Sequence, residues 1–98
     1  MKRLQKEVSQ WQNKTFGTNR GHGLGLFNHL VREVQELGDT PIDSKNFEGE
    51  FADCVILLIG LADAYSVDLE KAVKEKMKEN RKRKWNKPDK DGVIQHIK

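Results

Sequence analysis

Between Phe51 and Ile59 the chain reads Phe-Ala-Asp-Cys-Val-Ile-Leu-Leu-Ile, an apolar run with a single charge inside it, Asp53. Periodicity alone leaves Val55–Ile59 open to reading as a buried parallel strand. Length decides for a helix, because the pattern continues on both sides without a turn signal. The predicted element spans about 44–65, with Asp43 or Ser44 as its cap. A helix that is apolar nearly all round must be covered on all sides. A chain of 98 residues has room for one domain, 1–98, and for few covering elements. The segment therefore predicts a homo-oligomer, dimer or tetramer, rather than a lone bundle.

The rest of the chain offers helical faces to pack against it. Leu4, Val8 and Trp11 recur at steps of four and three, predicting a helix over 2–15 that Phe16-Gly17 ends. Residues 17–25, rich in glycine and polar side chains, read as a loop. Leu26, Phe27, Leu30, Val31, Val34 and Leu37 form the stripe of a second helix over 24–37, with Gly38 placed for a left-handed terminus and Pro41 following. Asp68 can cap a fourth helix over 68–85, with Leu69, Ala72, Val73 and Met77 inward and Trp85 as a packing residue or helix-end anchor. Residues 91–98 form a short, half-apolar tail. The expected fold is all-α, a four-helix bundle with a short C-terminal tail.

Charge and composition exclude several classes of function. The longest apolar run, Cys54 to Ala62, is broken by Gly60 and falls short of the ~20 residues a membrane span needs. Met1-Lys2-Arg3-Leu4 has no apolar stretch behind it, so no signal peptide is expected. One cysteine, Cys54, permits no internal disulfide and fits a reducing cytoplasm. The net charge of +3 suits an anionic partner, and the excess lies in the last third, from Lys71 to Lys90.

The acids of the middle third are spaced for a purpose. Glu33 and Glu36 are three apart on the second helix, and Glu50 and Asp53 three apart on the third. Residues at i and i+3 share a helical face, and a short connection makes the two helices neighbours. Four carboxylates can then converge. Like charges in one place repel and resist ionisation unless a cation neutralises them, and Mg²⁺ takes hard oxygen ligands of this kind, often together with substrate phosphate. Glu-x-x-Glu alone is common on solvated helices. The second pair changes the weighing, because an unpartnered Asp within an apolar helix costs several kcal/mol.

These motifs resemble those of the MazG-like all-α pyrophosphohydrolase superfamily: Glu33-Val34-Gln35-Glu36, then Glu50-Phe51-Ala52-Asp53, then Lys76-xxx-Asn80-xx-Arg83. The finer pattern is similar to a phage-type, dATP/dGTP diphosphohydrolase-like branch. It comprises Trp11…Phe16-Gly17, His29-Leu30-xx-Glu33, Ala52-Asp53-Cys54-xx-Leu57-Leu58, Arg83-Lys84-Trp85 and the closing Gln95-His96-Ile97, and spans about 11–98. The resemblance implies a MazG-like bundle that converts a (d)NTP, a purine dNTP in this branch, to the monophosphate and pyrophosphate in the cytoplasm of a bacterium or phage-infected host. It implies that Glu33, Glu36, Glu50 and Asp53 bind Mg²⁺, with Mn²⁺ as a substitute.

Roles follow from that reading. Glu36, with Glu33, would orient or deprotonate the attacking water. Lys76, Asn80 and Arg83 share a face of the fourth helix at steps of four and three and would meet the phosphates. Trp11 and Phe16 would stack on the base or simply pack in the core. His22 would touch base or phosphate, and His29, one turn before Glu33, would support the metal ligands. The rival readings are a basic helical nucleic-acid-binding module using 74–90 and a regulatory or assembly module without catalysis. Glu75 and Glu79 dilute the basic patch, and neither rival accounts for Asp53, so nucleic acid and membrane are not expected partners.

Overall fold

The computed structural model describes residues 1–17 and 23–98. Its elements are α1 (Lys2–Phe16), α2 (Leu24–Asp39), α3 (Phe47–Ala64) and α4 (Leu69–Lys82). Among the described residues there is no strand, only one isolated antiparallel bridge between Trp85 and His96. The all-α, four-helix expectation holds. No helix is long and apolar enough to cross a membrane among the described residues.

The helix ends show which local signals win. α2 was expected to stop at Gly38, but it runs through Gly38 to Asp39, and Thr40 ends it in an extended conformation, φ −84° and ψ 125°. Pro41 is the cause, since a residue before proline is pushed out of the helical region. Thr40 then turns its hydroxyl back to donate to the Glu36 carbonyl at 2.6 Å. α3 starts later than 44: Asn46 is its N-cap, with no side-chain capping bond. Ser44 instead serves the preceding turn, its Oγ accepting from the Asn46 N–H at 3.2 Å.

α4 begins as expected, with Asp68 Oδ1 accepting from the Lys71 N–H at 3.2 Å. It ends at Lys82 rather than 85, because residues 84–97 double back on themselves. The Ile97 N–H donates to the Lys84 carbonyl at 2.7 Å and the Asn86 N–H to that of Gln95 at 2.9 Å. Trp85 anchors the helix end, donating Nε1–H to the Asn80 carbonyl at 3.1 Å.

α2 and α3, joined by residues 40–46, make the principal helix pair; α1 lies against α3, and α4 is attached chiefly through α1. Two glutamines of α1 fix these seats. Gln5 donates to the Val67 carbonyl at 2.9 Å and accepts from the Leu69 N–H at 3.1 Å, pinning the α3–α4 turn. Gln12 donates to the Ile56 carbonyl at 3.2 Å. That approach needs Gly60, where an added Cβ would stand 2.9 Å from the Gln12 carboxamide. Gly60→Ala should therefore lower the stability by about 1–3 kcal/mol, the usual cost of overpacking, measurable by urea denaturation.

A second glycine sets the start of α2. Gly23 is buried at φ 78°, a left-handed conformation that side chains rarely adopt, and a Cβ there would meet the Tyr65 ring at 2.9 Å. It seats the beginning of α2 against the end of α3.

Among the described residues the buried apolar core is small: Leu57, Ile59 and Ala62, with Ile59 fully enclosed. The expected cover of α3 is incomplete in a single chain. Phe51, Val55 and Leu58 remain exposed, as do Phe27, Val31 and Val34 on α2. Val73 and Met77, expected inward on α4, are exposed too, because α4 leans on α1 rather than on the α2–α3 pair.

Candidate metal centre

Neighbouring faces of α2 and α3 bring carboxylates together. Glu33 from α2 and Glu50 and Asp53 from α3 each offer an oxygen, all within 4.8 Å of one another. Glu33 and Glu50 are half-buried and Asp53 is exposed. The expectation that Asp53 is enclosed by apolar neighbours is thus corrected for the single chain: its side of α3 is open. Glu36 stands beside Glu33 without joining the tight trio, and it is exposed.

The trio concentrates negative charge with little to offset it among the described residues. Glu33 Oε2 and Glu50 Oε2 are buried and have no hydrogen-bond partner, where buried polar atoms are nearly always paired. The Glu33 carboxyl is raised above the ordinary range, first by sharing a hydrogen bond with Glu36, then by burial and by the charges of Glu36, Asp53 and Glu50. The Cys54 thiol is raised as well, by burial and then by Glu33, Glu50 and Asp53. His29 braces the trio from one side, its Nε2 lying 3.3 Å from Glu33 Oε1. The donor set is all carboxylate oxygen, which fits Mg²⁺ or Mn²⁺ and not a soft metal.

The raised Glu33 value makes a pH prediction whose sign is definite. A carboxyl that holds its proton more tightly when folded contributes stability at low pH, and this is lost as pH rises through its folded value. Without divalent metal, the melting temperature of the wild type should fall relative to Glu33→Gln as pH rises above the ordinary carboxylate range. Mg²⁺ should reverse that trend for the wild type alone. Thermal melts of both proteins across pH, with and without Mg²⁺, test it.

A cavity of about 450 Å³ opens beside the acids. It is lined by the apolar side chains of Trp11, Phe16, Leu26, Ile56 and Leu57 and by Gln12, His29, Glu33 and Asp53. Trp11 and Phe16 meet edge to face, with centroids 5.5 Å apart and planes at 89°. Both are more than half exposed, at 55% and 61%, so they form a wall open to a ligand rather than core.

Lys76, Asn80 and Arg83 are not gathered here. They stand on and just past α4 and do not line the cavity. Lys76 Nζ and Arg83 Nη2 both engage Glu79, at 3.2 and 3.5 Å, and Lys76 above all holds the Glu79 carboxyl below its usual range. His22 lies outside the described residues. The sequence reading missed Gln12, which lines the cavity while only 3% exposed. Nothing local marks Gln12 as buried; the signal is the bare Gly60, distant in sequence.

The geometry has counterparts among known proteins. A family model for dATP/dGTP pyrophosphohydrolases matches residues 4–98. A dATP/dGTP diphosphohydrolase of Salmonella phage PMBT28 is 38% identical over 94 residues, 96% of this chain but 30% of that protein's length. The dATP/dGTP diphosphohydrolase of Cyanophage S-2L is 33% identical over 95 residues, 96% of this chain and 85% of that protein. The solved structure of the Cyanophage S-2L MazG-like pyrophosphohydrolase, bound to dGDP and three catalytic Mn²⁺ ions per active site, superposes with a TM-score of 0.80. It is 30% identical, with 98% of this chain and 91% of that chain covered.

Proposed function

The chain belongs to the dATP/dGTP pyrophosphohydrolase family, and from that premise we propose that it hydrolyses purine deoxynucleoside triphosphates, dGTP and dATP, to the monophosphate and pyrophosphate. The observation that carries the reading is the meeting of the α2 and α3 carboxylates beside a cavity that also carries the aromatic and aliphatic side chains of Trp11, Phe16, Leu26, Ile56 and Leu57. A nucleotide likewise joins an anionic phosphate chain to a flat ring.

Glu33, Glu50 and Asp53, with Glu36 beside them, are the residues that would hold Mg²⁺, with Mn²⁺ as a substitute. A divalent ion there supplies neutralisation of phosphate charge and a more acidic bound water. Glu36, exposed and outside the tight trio, takes the role of orienting the attacking water and accepting its proton, with Glu33 adjacent. The water oxygen bonds to the α-phosphorus, the bond to the bridging oxygen breaks, and pyrophosphate leaves. His29 keeps Glu33 in place through the 3.3 Å contact. Trp11 and Phe16 offer faces for the base.

Lys76, Asn80 and Arg83 are assigned to the phosphate side in an assembled homo-oligomer, dimer or tetramer. Surface area supports an assembly. The chain exposes 8198 Å², against about 5,700 Å² for a compact monomer of its mass. Its radius of gyration is 16.0 Å, against about 13 Å for a compact domain of this length.

Incubation with a panel of dNTPs and NTPs plus Mg²⁺, separating pyrophosphate from orthophosphate release, tests the activity. dGTP and dATP should yield pyrophosphate and the monophosphate. Orthophosphate alone, or no turnover of any nucleotide, would overturn the proposal.

A further inference from the structure

Helix α1 is seated on α3 by its polar side. Gln5, Ser9 and Gln12 follow steps of four and three along it, so they share one face. Gln5 is half-buried, and Ser9 and Gln12 are buried. Leu4, Trp11 and Phe16, the residues an ordinary packed helix would hide, are exposed. The two ends of this seat differ. The N-terminal end is tied down: Gln5 holds the Val67 carbonyl and the Leu69 N–H. The Met1 ammonium lies 3.5 Å from Glu70 Oε1, and Lys2 Nζ lies 3.8 Å from Asp68 Oδ2. Toward the C-terminal end, Gln12 Nε2 donates to the Ile56 carbonyl at 3.2 Å, but Gln12 Oε1 and Ser9 Oγ are buried with no hydrogen-bond partner. A buried oxygen left unpaired costs at least as much as one hydrogen bond contributes net. Lifting this half into water gives up the Gln12–Ile56 bond and hydrates both oxygens, so these polar groups favour release.

We propose that residues 9–16 of α1 are a hinged wall of the cavity. The arm pivots about the Gln5 end, lifts in the free protein, and is held down by a nucleotide that touches both the arm and the acids of α2 and α3. The inference rests on the nucleotide pyrophosphohydrolase reading and adds how that site closes. Trp11, Gln12 and Phe16 line the cavity from this half of α1, while Glu33 and Asp53 line it from α2 and α3. A ligand that meets both sides only when the arm is seated shifts the equilibrium toward the seated state. Covering the exposed rings of Trp11 and Phe16 adds apolar burial to that shift.

Hydrogen exchange read amide by amide tests the hinge. Eight residues freed from their seat cannot hold a helix in water, so release shows as exchange. In the free protein, and relative to intrinsic rates, amides of 9–16 should exchange about tenfold or more faster than those of 5–8. Fraying from the chain terminus gives the opposite order. dGDP with Mn²⁺ should slow exchange of 9–16 by about tenfold. Ser9→Ala, which removes one orphaned oxygen, should slow it in the free protein by about fivefold. The exposed Thr15→Ala, a control for the higher helix propensity of alanine, should slow it less. Equal effects of the two substitutions would overturn the inference. In the wild type alone, exchange of 9–16 no faster than that of 5–8 overturns it as well. So does exchange that dGDP and Mn²⁺ leave unchanged although calorimetry shows them bound. Each of these results can occur while dGTP still yields pyrophosphate, so the hinge can fail while the activity stands. A protein that neither binds nor hydrolyses any nucleotide overturns both together.

Discussion

Replacing Glu50 with Gln, or Asp53 with Asn, should lower Mg²⁺-dependent dNTP hydrolysis by about a thousandfold or more, the scale on which a bound cation stabilises phosphoryl charge. Neither substitution changes side-chain shape, and neither residue makes a hydrogen bond on which the α2–α3 packing depends. Helicity should persist. The physical signature is the opposition of two readouts. Without metal, the carboxylates of Glu33, Glu50 and Asp53 crowd within 4.8 Å, so removing one charge relieves repulsion and the melting temperature should hold or rise. With Mg²⁺, the wild type should gain stability by mass action, while the variants gain little. A misfolded variant would lose both activity and stability, so melting curves and turnover measured together separate the two causes. Turnover within tenfold of wild type in both variants would sink the assignment of these acids as ligands.

That prediction rests on residues legible in the sequence, and the reason they were legible is specific. The i, i+3 spacing of carboxylates needs only helical geometry to place each pair on one face, and the short 40–46 connection needs only chain length to make the faces neighbours. Asp53, expected to be enclosed in an apolar segment, stands on an open side of α3 in the single chain; the call for a cation comes instead from the crowding of the trio within 4.8 Å. The sequence could not reveal that Glu36 would stand outside the tight trio, because the choice between Glu33 and Glu36 depends on the axial offset of α2 against α3, which is decided by packing. Gln12 was invisible for the same reason. Its burial depends on Gly60, 48 positions away, offering a bare stretch of backbone.

The helix ends depart from the sequence expectation where two local signals compete. Gly38 carried the left-handed option, but Pro41 forced Thr40 extended and let α2 run on through Gly38. Ser44 carried the capping oxygen but spent it on the turn before α3. The end of α4 was drawn back to Lys82 by pairing between residues 84–86 and 95–97, contacts that helical periodicity does not see.

A charged residue at Leu58 should break the protein apart as an assembly. Phe51, Val55 and Leu58 follow steps of four and three along α3, and Phe27, Val31 and Val34 follow the same steps along α2, so each helix carries one continuous apolar stripe. All six side chains are exposed in the single chain, from 39% at Val55 to 52% at Val34. Stripes on two packed helices match the same stripes on a second copy related by a two-fold axis, which would close a four-helix seam. The surplus over a compact monomer, 8198 Å² against about 5,700 Å², more than covers the roughly 1,000 Å² per partner from which obligate interfaces start. Light scattering should therefore show the wild type as a dimer or tetramer and Leu58→Glu as a monomer with a markedly lower melting temperature, since a buried carboxylate in such a seam has no partner. Because the trio of acids sits on these same two helices, the monomeric variant should also lose most of its dNTP turnover, while Leu58→Met should retain both assembly and activity. A wild type that runs as a monomer at micromolar concentration would leave the apolar stripes without an occupant and overturn the assembly.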